Sequence, residues 1–434
     1  TFNDERRAFK FFSTPLGVQM DTILDDVNGN EDASWNAIWD SMGSITETGF
    51  IVEMRIPLHQ LRFPGGLEEQ TWGIDLVRFY PRDDRHRWTM NYRDFDISCY
   101  LCQLTKARGF SGLQPKTNLQ LIPTFTATKA EDRANPLTDD WNSNNGNTEA
   151  GLDLRWGISQ DLYLNATFNP DFSQVEADQA QLNVNNTFAL FFPERREFFL
   201  DGADYFNMSE RIVNTRNIAD PDYGFKLTGK KDANTYGVFA TNDTRTNFLI
   251  PGTQSSRIAS LGEDVESQNL VMRYRRDIGS NNSTLGVIAT NRTADDYSNT
   301  LLGVDGNIRL GNSDRVNFLL MSTESEYPQK IQEEHDQKQS LDDQAYTIRY
   351  SHDTNTWRWQ AQYKSFGEEF RPDMGFIGRV GVKNYSIGGG RAWQFPAEDF
   401  FNRIRLNVFT GGLEDFNGLK LNEWTEFNFN MNGP

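Results

Sequence analysis

Long apolar runs are missing from this sequence. No stretch of about 18 apolar residues occurs, so no helix is expected to cross a bilayer. Cysteine is scarce, with only Cys99 and Cys102, and a zinc site would need more Cys or His ligands than this pair supplies. A c-type haem site is excluded because Gln103, not histidine, follows Cys102.

Positive charge is also in short supply. The chain has 43 basic and 61 acidic residues, a net charge of −18, and nucleic acid is not expected as a partner because phosphate binding needs basic patches. Catalytic motifs are absent, including the Gly-x-Ser-x-Gly elbow and His-Glu-x-x-His. The sequence predicts that the protein is not an enzyme. A glycan hydrolase remains a third interpretation, although no acid and nucleophile pair can be singled out among so many carboxylates.

Aromatic residues are abundant. They make up 13% of the chain, beside 34 Gly, while the mean hydropathy is only −0.65. A transmembrane β-barrel shows only alternate residues to lipid, so low hydropathy and high aromatic content go together in that class. Composition alone leaves a soluble all-β protein open as the alternative.

From about residue 117 the sequence alternates between apolar and polar residues. Trp357 and Trp359 share one face of a segment whose other face carries Arg358 and Lys364. About fourteen such segments occur, each long enough to cross a membrane as a tilted strand. We therefore predict an all-β fold, a transmembrane antiparallel barrel of roughly 14 or more strands over residues 116–434. Tight turns near 232–234 and 312–314 are expected at one end, and a long acidic loop, 324–343, at the other.

Residues 1–115 have shorter strand-like runs, which predict part of a β-sandwich module. Three aromatic residues in it are candidates for stacking on sugar rings, with the core as the alternative: Trp35, Trp39 and Trp88. Four oxygen-bearing residues at alternate positions suit a structural calcium ion, with a solvated turn as the alternative: Asp26, Asn28, Asn30 and Asp32. No other cofactor is expected.

The two cysteines, Cys99 and Cys102, are three positions apart. A disulfide in an oxidising compartment is one interpretation, and a redox-active thiol pair is the other.

Residues 171–207 break the alternation. Aromatic residues fall on both faces of this segment, and four charges interrupt them: Phe191, Phe192, Glu194, Arg195, Arg196, Glu197, Phe198 and Phe199. We predict that the segment folds inside the barrel, where buried charges need partners. It is either an aromatic wedge that seals the lumen or a constriction that contacts a ligand.

Several motifs carry a family resemblance. Residues 169–178 (Asn-Pro-Asp-Phe-Ser-Gln-Val-Glu-Ala-Asp) and 191–203 (Phe-Phe-Pro-Glu-Arg-Arg-Glu-Phe-Phe-Leu-Asp-Gly-Ala) resemble the signature of an outer-membrane barrel family, domain of unknown function 5916. Residues 371–376 resemble a further motif of that family, as do the shorter runs at 61–64, 71–73 and 99–103. In that family the barrel follows a module similar to family 9 carbohydrate-binding modules.

The resemblance implies a bacterial outer-membrane location, with the N-terminal module in the periplasm. Family members tend to be longer, so further sequence is expected beyond both Thr1 and Pro434.

The leading functional hypothesis is an outer-membrane barrel that binds a ligand, such as a carbohydrate, and takes part in its passage. The alternative is a structural or assembly barrel that anchors an envelope or surface complex. The expected partners are outer-membrane lipid, carbohydrate and other envelope proteins.

Overall fold

The chain is all-β, and its computed structural model describes residues 1–2, 5–26, 29–33, 35–61, 63, 67–81, 85–113, 119–129, 131–133, 135, 138, 140–143, 147–159, 161–170, 187–262, 265–279, 281–396 and 399–433. The N-terminal part has nine short strands: β1 (Arg7–Ser13), β2 (Gln19–Asp25), β3 (Asn30–Asp32), β4 (Asp40–Thr46), β5 (Gly49–Arg55), β6 (Glu69–Ile74), β7 (Val77–Pro81), β8 (Arg85–Thr89) and β9 (Thr105–Ser111). Strands β1, β2 and β3 form one sheet, and β4 with β5, β6 with β9 and β7 with β8 form pairs. We call this part the module.

The rest of the chain has longer strands: β10 (Leu119–Thr128), β11 (Glu131–Asp132), β12 (Asn142–Ser143), β13 (Asn147–Gly157), β14 (Leu162–Phe168), β15 (Pro221–Lys231), β16 (Asn234–Asp243), β17 (Asn247–Pro251), β18 (Ser256–Ser260), β19 (Ser267–Ile278), β20 (Ser283–Ala294), β21 (Tyr297–Leu310), β22 (Asp314–Glu326), β23 (Ser340–Asp353), β24 (Trp357–Phe366), β25 (Val382–Gln394), β26 (Arg403–Asp415) and β27 (Lys420–Asn432). Two short α-helices accompany them, α1 (Glu197–Leu200) and α2 (Gln329–His335). Among the described residues, no helix is long and apolar enough to cross a membrane.

Fourteen of these strands form one antiparallel sheet in which each strand pairs with the next along the chain, β11–β12 and β17–β18 being separate pairs within loops. This confirms the predicted all-β class and strand number. At one end of the sheet the connections are short, including 232–233 and 311–313, as predicted. The other end carries the long connections, of which 169–220 is the longest in the sheet, beside two short ones at 295–296 and 416–419.

The acidic loop is shorter than predicted. Strand β22 continues to Glu326 and pairs with Ser340 at the start of β23, so the loop is 327–339 and not 324–343. The predicted polar ends of this loop stay in the sheet because ladder hydrogen bonds satisfy their backbone groups.

Alternate residues of the sheet point to opposite faces. In β19 the residues Val271, Arg273 and Arg275 are buried, while Met272 and Tyr274 between them are exposed. In β21 Leu302 is 60% exposed although its neighbour Leu301 is fully buried. An apolar side chain on one face and a charged one on the other is the pattern of a barrel wall with a polar interior.

The buried face encloses residues 187–220, which we call the inner segment. Asp201 in this segment contacts Arg155 of β13, and Glu210 contacts Lys364 of β24. Since strands nine positions apart in the sheet reach the same short segment, the sheet must curve around it. The sheet is therefore barrel-like, with β10 and β27 at its edges in the described part of the chain.

Candidate functional site

The inner segment is held in shape by its own charges. Arg196 pairs with Glu194 at 2.7 Å and donates to the carbonyl oxygens of Thr215 and Ile218, each at 2.6 Å. Burial alone would raise the pKa of Glu194, but the hydrogen bond and charge of Arg196 outweigh it and the pKa is lowered. The two ends of the described inner segment are thus tied together by one guanidinium.

Aromatic side chains anchor the inner segment to the wall. Phe199 and Phe206 both pack on Phe239 of β16, with ring centroids 6.4 and 5.2 Å apart. A Cβ added at Gly237 would lie 2.8 Å from the Phe206 ring, so glycine lets the ring approach the strand. The cluster extends to buried aliphatic residues of the wall: Val271, Ile288, Leu301, Leu319 and Met321. Part of the lumen is therefore a hydrophobic core.

The structure brings together most of the charged and aromatic residues predicted for this segment. Glu194 and Arg196 form the ion pair described above, Phe198 packs on Phe199, and Phe191 packs on Phe376. Phe192, Arg195 and Glu197 complete the predicted set; Phe192 and Arg195 are half-buried and Glu197 begins α1. Residues 171–186 of the predicted segment lie outside the described residues.

A second loop, residues 367–381, also folds inward, and we call it the inner loop. Asn217 of the inner segment donates to the carbonyl oxygens of Asp373 and Gly375, both at 2.8 Å. The Asp373 carboxylate accepts hydrogen bonds from Tyr297 at 2.8 Å and Tyr327 at 3.0 Å. Burial raises the pKa of Asp373 to about 7, against the opposing effect of these hydrogen bonds. The inner loop thus joins the inner segment to the wall.

The lumen is only partly filled. A cavity of about 260 Å³, the lumen cavity, lies between residues 208–210 of the inner segment and the wall. A second one of about 610 Å³, the mouth cavity, lies between the same residues and the module. Residues 208–210 line both cavities, so this thin strip of chain separates them.

The lumen cavity has an excess of positive charge. Its cationic residues are Arg273, Arg275, Arg349 and Lys364, and its anionic residues are Glu210 and Asp305. Arg273 makes a two-pronged ion pair with Asp305 at 2.7 and 2.8 Å, and Lys364 pairs with Glu210 at 2.6 Å.

Within the described residues, no carboxylate hydrogen-bonds the other two cations of the cavity. Arg349 donates to the amide oxygen of Gln360 at 2.6 Å. The nearest ion-pair partner of Arg275 is Asp25 of the module, at 3.9 Å. Arg349 and Arg275 are not among the site residues predicted from the sequence. The sequence signal that could have identified them is their position: each directly follows an aromatic or aliphatic residue of an alternating strand and therefore points inward.

The module lies against the short-turn end of the sheet. Ser98 N donates to Asn312 O at 2.8 Å and Asn355 N donates to Asp96 at 2.6 Å. Arg6 forms an ion pair with Asp277 of β19, and Arg7 pairs with Asp204 of the inner segment at 2.9 Å. The module therefore contacts both the wall and the segment inside it.

The predicted sugar-stacking residues have different environments. Trp35 and Trp39 are each 6% exposed and pack against Phe11, with ring centroids 5.7 and 5.2 Å apart. Their rings belong to a core cluster, so the core alternative holds for both, because a buried ring has no free face for a sugar. Trp88 is half-exposed, stacks on Tyr80 at 5.2 Å and has the Arg78 guanidinium 5.5 Å from its ring, so its role as a sugar platform stays a prediction.

The predicted calcium ligands are only partly within the described structure. Asn28 and the side chain of Asn30 lie outside it. Asp26 contacts Arg309 at 3.3 Å, and a guanidinium there competes with a metal ion for the carboxylate. Within the described residues no cluster of three or more acidic, His or Cys side chains suits a metal. The calcium site stays a prediction. The predicted cysteine pair, Cys99 and Cys102, is joined in a disulfide.

Comparisons with known proteins bear on the large sheet. The model of a family described as "Domain of unknown function (DUF5916)" matches residues 115–247, which agrees with the resemblance noted for residues 169–178 and 191–203. No curated protein matches the chain.

Among solved structures, the chain is similar to OccK8 (OprE) of Pseudomonas aeruginosa, with 12% identity and a TM-score of 0.31 over 75% of this chain and 80% of that one. It is also similar to the outer membrane protein opdK of Pseudomonas aeruginosa, with 10% identity and a TM-score of 0.28 over 74% of this chain and 89% of that one. OmpT, an outer membrane protein of Vibrio cholerae, matches with 10% identity and a TM-score of 0.24 over 73% of this chain and 95% of that one.

Proposed function

We propose that the protein is a bacterial outer-membrane β-barrel that binds a polar solute in its lumen and takes part in the passage of that solute. The observation that carries the proposal is the pair of cavities on either side of residues 208–210, inside a wall that is apolar outside and charged inside.

The outward face supports the membrane location. Large apolar side chains cover it from strand to strand: Phe225, Val238, Met272, Val287, Leu302, Leu320 and Ile348 are all exposed. In water such a continuous surface would drive association. In lipid it is the expected surface of a barrel, in which strand pairing satisfies the backbone groups.

The two ends of the sheet suggest its orientation. Outer-membrane barrels have short turns on the periplasmic side and longer loops outside. The module contacts the short-turn end through the Ser98–Asn312 and Asp96–Asn355 hydrogen bonds. In this orientation the module is periplasmic.

The solute class is proposed from the cavity lining. Amide, hydroxyl and guanidinium groups face the lumen cavity: Arg273, Thr284, Asn307, Asn317, Thr347 and Gln362. Such groups hydrogen-bond the hydroxyls of a sugar. The module contributes the half-exposed Trp88–Tyr80 stack, which suits the apolar face of a sugar ring. A carbohydrate is therefore our preferred solute.

Liposome swelling with a series of neutral oligosaccharides tests the passage. We expect uptake by wild type and faster uptake by Glu210→Ala, which removes the ion pair that ties residues 208–210 to Lys364. The control is Glu423→Ala, which removes an exposed ion pair with Lys420 far from the lumen. Equal rates for Glu210→Ala and protein-free liposomes would defeat the proposal.

The second candidate is a structural or assembly role in the envelope. The buried core between the inner segment and the wall supports it, because a tightly filled lumen conducts poorly. Pull-down from native membranes would then recover a stable complex. A barrel recovered alone would count against this role.

A further inference from the structure

Two arginines of the lumen face carboxylates that belong to the module. Arg275 on β19 lies 3.9 Å from Asp25, and Arg309 on β21 lies 3.3 Å from Asp26. Both arginines are buried inward-facing residues near the short-turn ends of their strands. The end of β2 therefore brings Asp25, its last residue, and the following Asp26 to the mouth of the lumen.

The guanidinium groups are not saturated by these contacts. The Nε atoms of Arg275 and Arg309 are buried and have no hydrogen-bond partner in the part of the chain that the structure describes. A buried donor without a partner is costly, and a guanidinium can take a carboxylate through two parallel bonds. Each arginine thus has donor capacity beyond what Asp25 and Asp26 use.

The contact lies at the junction of the two cavities. Arg275 lines the lumen cavity, and Asp25 lines the mouth cavity. A solute moving between them meets this ion pair and the strip formed by residues 208–210.

We propose that Arg275 and Arg309 form an anion-binding site at the mouth of the lumen, occupied by Asp25 and Asp26 as an intramolecular ligand that a carboxylate-bearing solute displaces. The inference rests on the proposed function, since it adds a control point to the same lumen. The positive excess in the lumen cavity draws an anion toward the site. The carboxylates of the module already show which chemical group fits the arginines.

Burial of the acidic turn makes exchange with a solute feasible. Burial raises the pKa of Asp26, although Arg309 opposes the rise, so the contact carries a desolvation cost that offsets its attraction. The module has other attachments, including the Arg6–Asp277 and Arg7–Asp204 ion pairs, which keep it docked when Asp25 and Asp26 leave the site.

Calorimetric titration of the full chain in detergent at low ionic strength tests this site, with succinate as the probe and 1,4-butanediol as its neutral counterpart. Asp25→Asn/Asp26→Asn should bind succinate at least about tenfold more tightly than wild type, because the competing charges are gone. Adding Arg275→Gln and Arg309→Gln together should abolish the gain, and butanediol should bind no variant more tightly. The matched control is Glu47→Gln/Glu53→Gln, which removes two exposed charges from the same module and should behave as wild type.

Equal succinate affinity in Asp25→Asn/Asp26→Asn and in the control would overturn the proposal. If the double variant does not fold, the single variant Asp25→Asn serves as the test, because it retains the Asp26–Arg309 contact. An unchanged succinate affinity in that variant also overturns the proposal. Swelling assays on the same variants separate the two claims. If the double variant binds succinate more tightly but no solute passes, the proposed passage is refuted and the anion-binding site stands. If solutes pass but succinate binding does not increase, the anion-binding site is refuted and the proposed passage stands.

Discussion

The buried pair of Arg292 and Asp243 offers the sharpest test of how the inner segment is held. Both side chains are 0% exposed and lie 3.2 Å apart. Arg292 also donates to the backbone oxygens of Asn217, at 3.1 Å, and Asn247, at 2.6 Å. One side chain of β20 therefore joins the inner segment, the end of β16 and the start of β17.

Replacing Arg292 with Met leaves the Asp243 carboxylate buried without its charge partner. Removing one member of a buried ion pair typically costs about 3–5 kcal/mol, because the remaining charge is uncompensated. Asp243 keeps its bonds from the backbone N–H groups of Ala219 and Asp220, so we expect the lower half of this range. Adding Asp243→Asn should recover about 1–2 kcal/mol, since the neutral amide carries no buried charge.

Urea unfolding in detergent micelles, followed by tryptophan fluorescence, measures these differences. Limited proteolysis of residues 187–220 reports in parallel whether the inner segment has come loose. Arg358→Met is the control, because Arg358 is half-exposed and its ion pair with Asp353 is 3.9 Å long; it should cost less than about 0.5 kcal/mol. A cost below about 1 kcal/mol for Arg292→Met, or a double variant as unstable as the sum of both single variants, would refute the reasoning.

Three further predictions follow from single residues. Because the pKa of Asp373 is about 7, its proton stabilises the fold at low pH. The free energy of unfolding should therefore fall by about 2–3 kcal/mol between about pH 5 and 8. Asp373→Asn should lose this part of the pH dependence, and an unchanged pH profile in that variant would contradict the prediction. Phe206→Ala should cost about 3–5 kcal/mol in urea unfolding because the ring is buried against Phe239, whereas Phe400→Ala, at an 80% exposed position, should cost almost nothing. Trp88→Ala should weaken oligosaccharide binding in calorimetry without lowering stability by more than about 0.5 kcal/mol, and unchanged binding would remove Trp88 from the sugar site.

The strands could be predicted from sequence because their signal is local. Alternation along Trp357–Lys364 requires only that neighbouring residues face opposite sides, and β24 covers this segment. The number of strands followed from counting such segments. The end of β22 was misjudged because its last residues are polar on both faces, and only pairing with β23 keeps them in the sheet.

The lumen contacts could not be predicted, because their partners are far apart in the chain. Arg309 and Asp26 are separated by 283 positions, and Asn217 and Asp373 by 156. Residue type alone also does not report burial, as Trp35 shows: a tryptophan suits a sugar platform and a module core equally well. Only the packing of Phe9 and Phe11 on its ring decides between them.

For the proposed passage of a solute, the aliphatic residues on the inner face limit which part of the inner segment can move. Val271, Ile288 and Leu319 point inward and are covered by the inner segment. If the whole segment left the lumen, this apolar surface would meet water, at a cost that grows with the exposed area. Passage is therefore cheaper by displacement of residues 208–210, which leaves the Phe199–Phe239 and Phe206–Phe239 contacts in place. Lys364 and Arg275 line the lumen cavity beside that strip, and Met208 within the strip packs against the aromatic core. Displacement of the strip would therefore break the Glu210–Lys364 ion pair and the Met208 contact, while the two rings packed on Phe239 stay in place.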